Sequence, residues 1–263
     1  MSVQPPPSSG SLRTIVAPNA SPYTLDGTNT YLLGGRRVMV LDPGPDDGHH
    51  VAQIVERAGE TGGRVALILV THAHGDHLGA ARRLAEASGA PVARWRAGDR
   101  PLDEGELVVE EEIRLRVVHT PGHAPDHIAF VWEERRTLFS GDLVLGRGTV
   151  MVSPPAGSMD EYLRSLERVA RLDLAVIAPG HGPLVEDPGP RVAEYIAHRR
   201  LRERQILDVV TAGPRTPGEV AAALYPDLEP RLHPAAEATV LAHLLKLLRE
   251  GRVAREGNRY YVP

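Results

Sequence analysis

The chain has no cysteine. Disulfides are therefore excluded, and any metal site must be built from histidine, aspartate or glutamate. Apolar runs are short: the longest strongly apolar stretch, Val65 to Val70, is far below a membrane span, so no membrane association is expected. Residues Met1 to Leu12, rich in Pro, Ser and Gly, show neither a basic start nor an apolar run. No secretory signal is expected there, and a cytoplasmic location is the default. Lysine is nearly absent, with Lys246 the single one among 30 basic residues, a bias of genome composition that carries no function. No repeat of about 20 to 50 residues is visible, which argues against a solenoid.

What is present suits an enzyme. A length of 263 residues with 42% hydrophobic content allows one large domain and a small one. The formal net charge of −4 is unevenly placed, with 18 basic and 25 acidic residues in 1–190 against 12 and 9 in 191–263. That small basic excess in the tail fits a polyanion partner or a solvated helix face equally well.

The first half alternates β-branched runs with helical patterns, as α/β folds do. Strands are expected at Thr30 to Leu33, Arg37 to Leu41 and Val65 to Val70, with helices from Gly48 to Ala58 and Leu78 to Ala87. From Glu106 to Ser140 the pattern turns to successive strands at Ile113 to Val118, His127 to Trp132 and Thr137 to Ser140, a second sheet. A helix at Met159 to Ala170 and a strand at Leu174 to Ala178 follow, then a linker at Pro183 to Pro190 and a helix from Arg191 to Thr211. Beyond it, a short helix from Thr216-Pro217 to Leu224, an amphipathic helix from Ala235 to Arg249 and a hairpin turning at Glu256-Gly257-Asn258 read as a winged helix. The expected division is a catalytic domain over 1–190, a connecting helix over 191–212 and a winged-helix-like domain over 213–263.

Chemistry concentrates at strand ends, where open α/β sheets place it. Five of the twelve histidines stand in His72-Ala73-His74-Gly75-Asp76-His77, Pro121-Gly122-His123 and Pro179-Gly180-His181-Gly182. In the first motif four potential ligands are too close together for one regular element to aim them all at one ion. A loop must divide them. His72, His74 and His123 are assigned to one metal and Asp76, His77 and His181 to the other, with Asp142 of Ser140-Gly141-Asp142 as the bridge. An all His/Asp donor set suits two Zn²⁺ ions, with manganese or iron as alternatives. Two ions roughly 3.5–4 Å apart activate a shared water, so hydroxide attack on an ester-type bond is the expected reaction, with Asp76 orienting the nucleophile and passing a proton. His119 is read as packing or as support for a metal ligand, and His127, four residues after His123, either orients a ligand or substrate or belongs to the core or a sheet edge. His49, His50, His233 and His243 are read as structural.

These motifs, together with Gly27-Thr28-Asn29-Thr30-Tyr31-Leu32, Ser140-Gly141-Asp142-Leu143-Val144-Leu145-Gly146 and Tyr195-Ile196-Ala197-His198-Arg199, resemble the metallo-β-lactamase superfamily, and within it the beta-lactamase-like protein 2 group. The resemblance implies an αβ/βα sandwich with a dinuclear centre at one edge and a C-terminal winged helix. It also implies metal-dependent endoribonuclease cleavage of single-stranded RNA, for which Arg199, Arg200, Arg202 and Arg204 on one helix would contact phosphates or form a charged helix face. Two alternatives stand beside it: hydrolysis of a small-molecule ester or thioester of the glyoxalase-II-like type, and a winged-helix nucleic-acid-binding module with a vestigial metal site. A homodimer through the C-terminal domain is a further expectation. The lack of cysteine argues against the thiolate-ligated β-lactamases, and His74 stands where flavodiiron proteins place a carboxylate.

Overall fold

The computed structural model describes residues 11–60 and 62–263. The reading of Met1 to Gly10 as free of a secretory signal lies outside them. The chain forms two compact units, the first comprising residues up to His119, Asp126–Gly148 and Asp173–Pro188, the second Thr120–Pro125, Thr149–Leu172 and Gly189–Pro263.

The first unit holds two sheets. Strands β1 (Leu12–Val16), β2 (Asn29–Leu33), β3 (Arg37–Leu41), β4 (Arg64–Leu69), β5 (Val92–Trp95) and β6 (Ala97–Gly98) follow one another across the larger sheet, and β7 (Arg100–Leu102) pairs with β5. The β3–β4 and β4–β5 pairs are parallel. The smaller sheet holds β8 (Leu107–Glu110), β9 (Ile113–His119), β10 (Ile128–Trp132), β11 (Thr137–Gly141) and β12 (Val176–Pro179), antiparallel except for β11–β12.

The central strands β2, β3 and β4 are apolar on both faces because both faces are covered. Side chains alternate with the two-residue period of a strand. Tyr31, Leu33, Met39, Leu41, Leu67 and Leu69 enter one buried cluster with Ile128, Phe130, Trp132 and Phe139 of the smaller sheet. Leu32, Val38, Val40, Ile68 and Val70 enter another with Val51 and Ile54 of α1 (Gly48–Gly59) and Leu84 of α3 (Ala81–Ser88). Between these helices lies the one-turn α2 (Gly75–Leu78). The sequence leads one to expect an unbroken helix from Leu78. The break follows from Gly79, where a Cβ would lie 2.3 Å from the Gly75 carbonyl and 2.8 Å from the Asp46 amide, so the chain turns against a neighbouring loop.

The second unit contains α4 (Met159–Val169), α5 (Pro188–Thr211), α6 (Pro217–Leu224), α7 (His233–Arg249) and the hairpin β13 (Ala254–Glu256) and β14 (Arg259–Tyr261). Helix α5 begins within the expected linker, since proline is tolerated in a first helical turn. Thr216 and Glu219 close a reciprocal capping box on α6. Val220, Val240, Leu244, Leu247, Val253 and Tyr260 form the core of the small domain, and Arg215 pairs with Tyr260 beside the hairpin. This is a winged helix. Among the described residues no helix is long and apolar enough to cross a membrane.

Candidate metal centre

Four strand ends of the first unit, those of β3, β4, β11 and β12, carry the polar residues of the site. Beyond β3 comes Asp42, in the left-handed region at φ 52°. Its carboxylate accepts hydrogen bonds from the Thr71 amide, the Thr71 hydroxyl and His77 Nδ1, each at 2.8 Å. Because the Thr71 hydroxyl donates to Asp42, it accepts from His72 Nδ1 at 3.0 Å. One buried carboxylate thus sets the orientation of two histidines.

After β4 the chain runs through Thr71 to His74, whose carbonyl accepts from the His77 and Leu78 amides and starts the α2 turn. His72 Nε2 and His74 Nδ1 stand 3.0 Å apart. Past β12, His181 donates from Nδ1 to the Gly27 carbonyl at 3.2 Å. Asn29 fixes this last loop, donating from its side chain to the carbonyls of Pro179 at 3.0 Å and Gly182 at 2.8 Å. Tyr31 Oη adds a bond to Pro179 at 2.8 Å. Asp142 follows β11, and its amide donates to His127 Nε2 at 3.0 Å, so His127 positions the Asp142 turn. Two glycines are sterically required: a Cβ on Gly141 would lie 2.7 Å from His127 Nε2, and one on Gly180 would lie 2.7 Å from His77 and 2.8 Å from Asp142 Oδ1.

The inner atoms are acceptors. With Nδ1 engaged, His77 and His181 turn Nε2 inward, and these nitrogens face each other at 3.3 Å. Asp142 Oδ1 lies 3.4 Å from both, and Asp76 Oδ2 lies 3.3 Å from His181 Nε2 and 3.8 Å from His77 Nε2. Lone pairs and carboxylate oxygens cannot converge like this without positive charge between them. Protons or a metal ion must supply it, and a His/Asp donor set of this kind fits zinc. The titration behaviour records the same demand. Burial opposes charging the His77 ring, but Asp42 and Asp142 outweigh it and lift its pKa well above the ordinary value. His181 is raised to about 9 by hydrogen bonds to Asp142 and Asp76 that override its burial. Asp142, though buried, is held well below the carboxylate range by His77 and His181. Asp76 is lowered too, its burial outweighed by His181 and His77.

The structure brings His72, His77 and Asp142 together in one group able to hold a metal, and Asp76, His77 and His181 in another. His123 belongs to the second unit, where it is 9% exposed and its Nδ1 bonds to the Met151 carbonyl at 2.8 Å. His119 stacks on Trp95 at 3.9 Å, a packing role. His50 bonds to Thr30 at 2.9 Å and is structural. Sequence reasoning passed over Asp42 and Asn29. The signal for Asp42 was an acidic residue between an apolar strand and Pro43-Gly44, in the place where strand ends carry chemistry.

The metallo-beta-lactamase superfamily model matches residues 23–94 and 91–181. The model of the beta-lactamase associated winged helix domain matches residues 216–260. A Drosophila melanogaster relative, beta-lactamase-like protein 2 homolog, is 34% identical over 91% of this chain and 88% of its own. The atrochrysone carboxyl ACP thioesterase of Aspergillus fumigatus is 32% identical over 73% of this chain and 62% of its own. Among solved structures, a metallo-beta-lactamase family protein from Thermus thermophilus is similar with a TM-score of 0.82 at 28% identity, covering 96% of this chain and 98% of that one.

Proposed function

This chain belongs to the metallo-beta-lactamase superfamily and is one of its metal-dependent hydrolases; from that premise we propose that it hydrolyses an acyl thioester at a dinuclear centre. The observations behind the dinuclear reading are the convergence of His77 Nε2, His181 Nε2, Asp142 Oδ1 and Asp76 Oδ2 into one acceptor-lined space and the second group formed by His72 with His77 and Asp142. We assign His72, His74 and His123 to one zinc, Asp76, His77 and His181 to the other, and Asp142 to both, with manganese or iron as substitutes. When bound, the two ions supply the Lewis acidity that makes water nucleophilic near neutral pH and stabilises charge on the attacked group. Asp42, Thr71, His127 and Asn29 hold the ligands in register. Asp76, whose side chain is 29% exposed, takes the proton of the attacking water on its carboxylate and passes it to the leaving group.

Thioester is preferred as substrate on two grounds. The A. fumigatus relative is named a thioesterase. Three of the four α5 arginines that would have gripped an RNA backbone are engaged within their own unit: Arg199 is buried, Arg200 pairs with Glu167 at 2.7 Å, and Arg202 lies over the Tyr225 ring at 4.6 Å, while Arg204 is exposed. Single-stranded RNA is the second reading, favoured by the winged-helix match and the basic excess beyond residue 190. A homodimer through the C-terminal domain is proposed with it, to be checked by light scattering. The functional test is a panel of a glutathione thioester, single-stranded RNA, a phosphodiester chromogen and a cephalosporin, given to wild type and Asp76→Asn. Thioester turnover lost in Asp76→Asn supports the proposal. RNA cleavage with an inert thioester rejects it in favour of the ribonuclease.

A further inference from the structure

His123 lies in a loop shaped by close packing. Gly122 has φ +130°, and a Cβ there would lie 2.2 Å from the Tyr162 amide nitrogen, so the loop rests on the first turns of α4. The Pro121 carbonyl accepts from Ser165 Oγ at 2.7 Å and the Gly122 carbonyl from the Ser158 amide at 2.8 Å. On its other side the imidazole donates from Nδ1 to the Met151 carbonyl at 2.8 Å. That bond fixes the tautomer and leaves Nε2 as the ligating atom.

The Met151 carbonyl sits in residues 149–153, which form neither helix nor strand. The preceding carbonyl, of Val150, accepts a hydrogen bond from Arg199 Nη2. A peptide plane is rigid, so pinning the Val150 carbonyl leaves only the two backbone torsions of Met151 between a fixed plane and the group that holds His123. The same guanidinium lies 5.3 Å over the ring of Tyr162, the residue beneath Gly122. Arg199 is 2% exposed, its Nε makes no hydrogen bond, and among the described residues no carboxylate pairs with it. Burying a guanidinium without a counter-ion is unfavourable, and an apolar side chain would fill the space at lower cost.

We propose that Arg199 is a positioning residue for His123, clamping both walls of its loop: Tyr162 below Gly122, and the Val150 carbonyl one peptide before the acceptor of Nδ1. This rests on the assignment of His123 as a metal ligand. Without the clamp the Met151 carbonyl loses its direction, and with it the aim of Nε2.

The test compares wild type, Arg199→Met, Arg199→Lys, His123→Ala and Arg200→Met, all prepared as full-length protein, by zinc competition with a chromophoric chelator, cobalt absorption spectra and circular dichroism. His123→Ala is expected to lose one tightly held zinc. Arg199→Met is expected to weaken that same zinc roughly 10–100-fold and to alter the cobalt spectrum while the other zinc stays as in wild type. Arg199→Lys, which keeps the charge but not the planar fork, should fall between them, and Arg200→Met should match wild type. If Arg199→Met does not fold, Arg199→Lys decides by the same readouts. Folded Arg199 variants that are less stable yet bind both zinc ions as wild type does, beside a His123→Ala that loses one, would overturn the proposal and leave the ligand assignment intact. Two full zinc sites in His123→Ala would overturn the assignment itself.

Discussion

His77 and His181 in the first unit and His243 in the second are all buried, and burial alone drives each ring toward its neutral form. They nevertheless diverge. His181 is raised to about 9 and His77 well above its ordinary value, whereas His243 falls to about 3. The difference lies in the neighbours. Asp42, Asp76 and Asp142 surround the first pair, while His243 shares its space with Arg199, Lys246 and His198, which add to the effect of burial. One region is a ring of acceptors that demands a cation. The other is a cationic setting that keeps its histidine uncharged. Burial alone therefore does not set the charge of a histidine; the sign of the surrounding charge does.

The sharpest way to break this contrast is to remove Asp142, the carboxylate proposed above to serve both ions. Asp142→Ala should cost more hydrolytic activity than the roughly 10–100-fold that loss of a supporting partner costs, and metal analysis should show at least one zinc missing. Next comes the support itself. Asp42→Asn keeps the size but removes the charge that orients His77 and, through Thr71, His72, and it should weaken zinc binding by about 10–100-fold in chelator competition.

The pH responses of the buried histidines should then run in opposite directions in the two regions. In metal-free protein, His181 contributes stability that is complete below its unfolded value near 6.5 and is lost as pH rises through about 9. Asp76 and Asp142 contribute stability present above their unfolded value of 3.8 and lost as pH falls below it. For His243 the folded pKa of about 3 lies below the unfolded 6.5, so its contribution is complete above 6.5 and erodes in acid. His243→Leu should therefore gain about 1 kcal/mol relative to wild type in urea melts near pH 5, since both ring nitrogens are buried without partners. An unchanged acid response would remove His243 as the acid-sensitive group of its unit. The smallest effect is expected at the surface: Arg200→Met, which breaks the exposed pair with Glu167, should change stability by less than about 1 kcal/mol.

How much of this was legible in the sequence follows from distance along the chain. The strand-end motifs at His72 to His77 and at Pro179 to Gly182 were readable because each directly follows an apolar run, and the first gathers its four candidate ligands within six residues. The two main sheets and the winged helix were readable from periodicity. Strands β5 to β8, at two to four residues each, are too short to show a period, and β1 was likewise unassigned. Asp42 was hidden because its partners lie 29 and 35 residues away. Arg199 was hidden because its partner, 49 residues off, is a backbone carbonyl that no side-chain pattern announces. In the sequence Arg199 reads as one of a row of surface arginines, and only burial separates it from Arg200.

Zinc titration of the metal-free protein at neutral pH, with simultaneous measurement of proton release, tests the central claim most directly. The account predicts two zinc ions per chain, protons displaced from the raised histidines as they bind, and loss of one ion together with part of that proton release in His181→Ala. Zinc binding that is absent, or that is unchanged in both stoichiometry and proton release by His181→Ala, would contradict it.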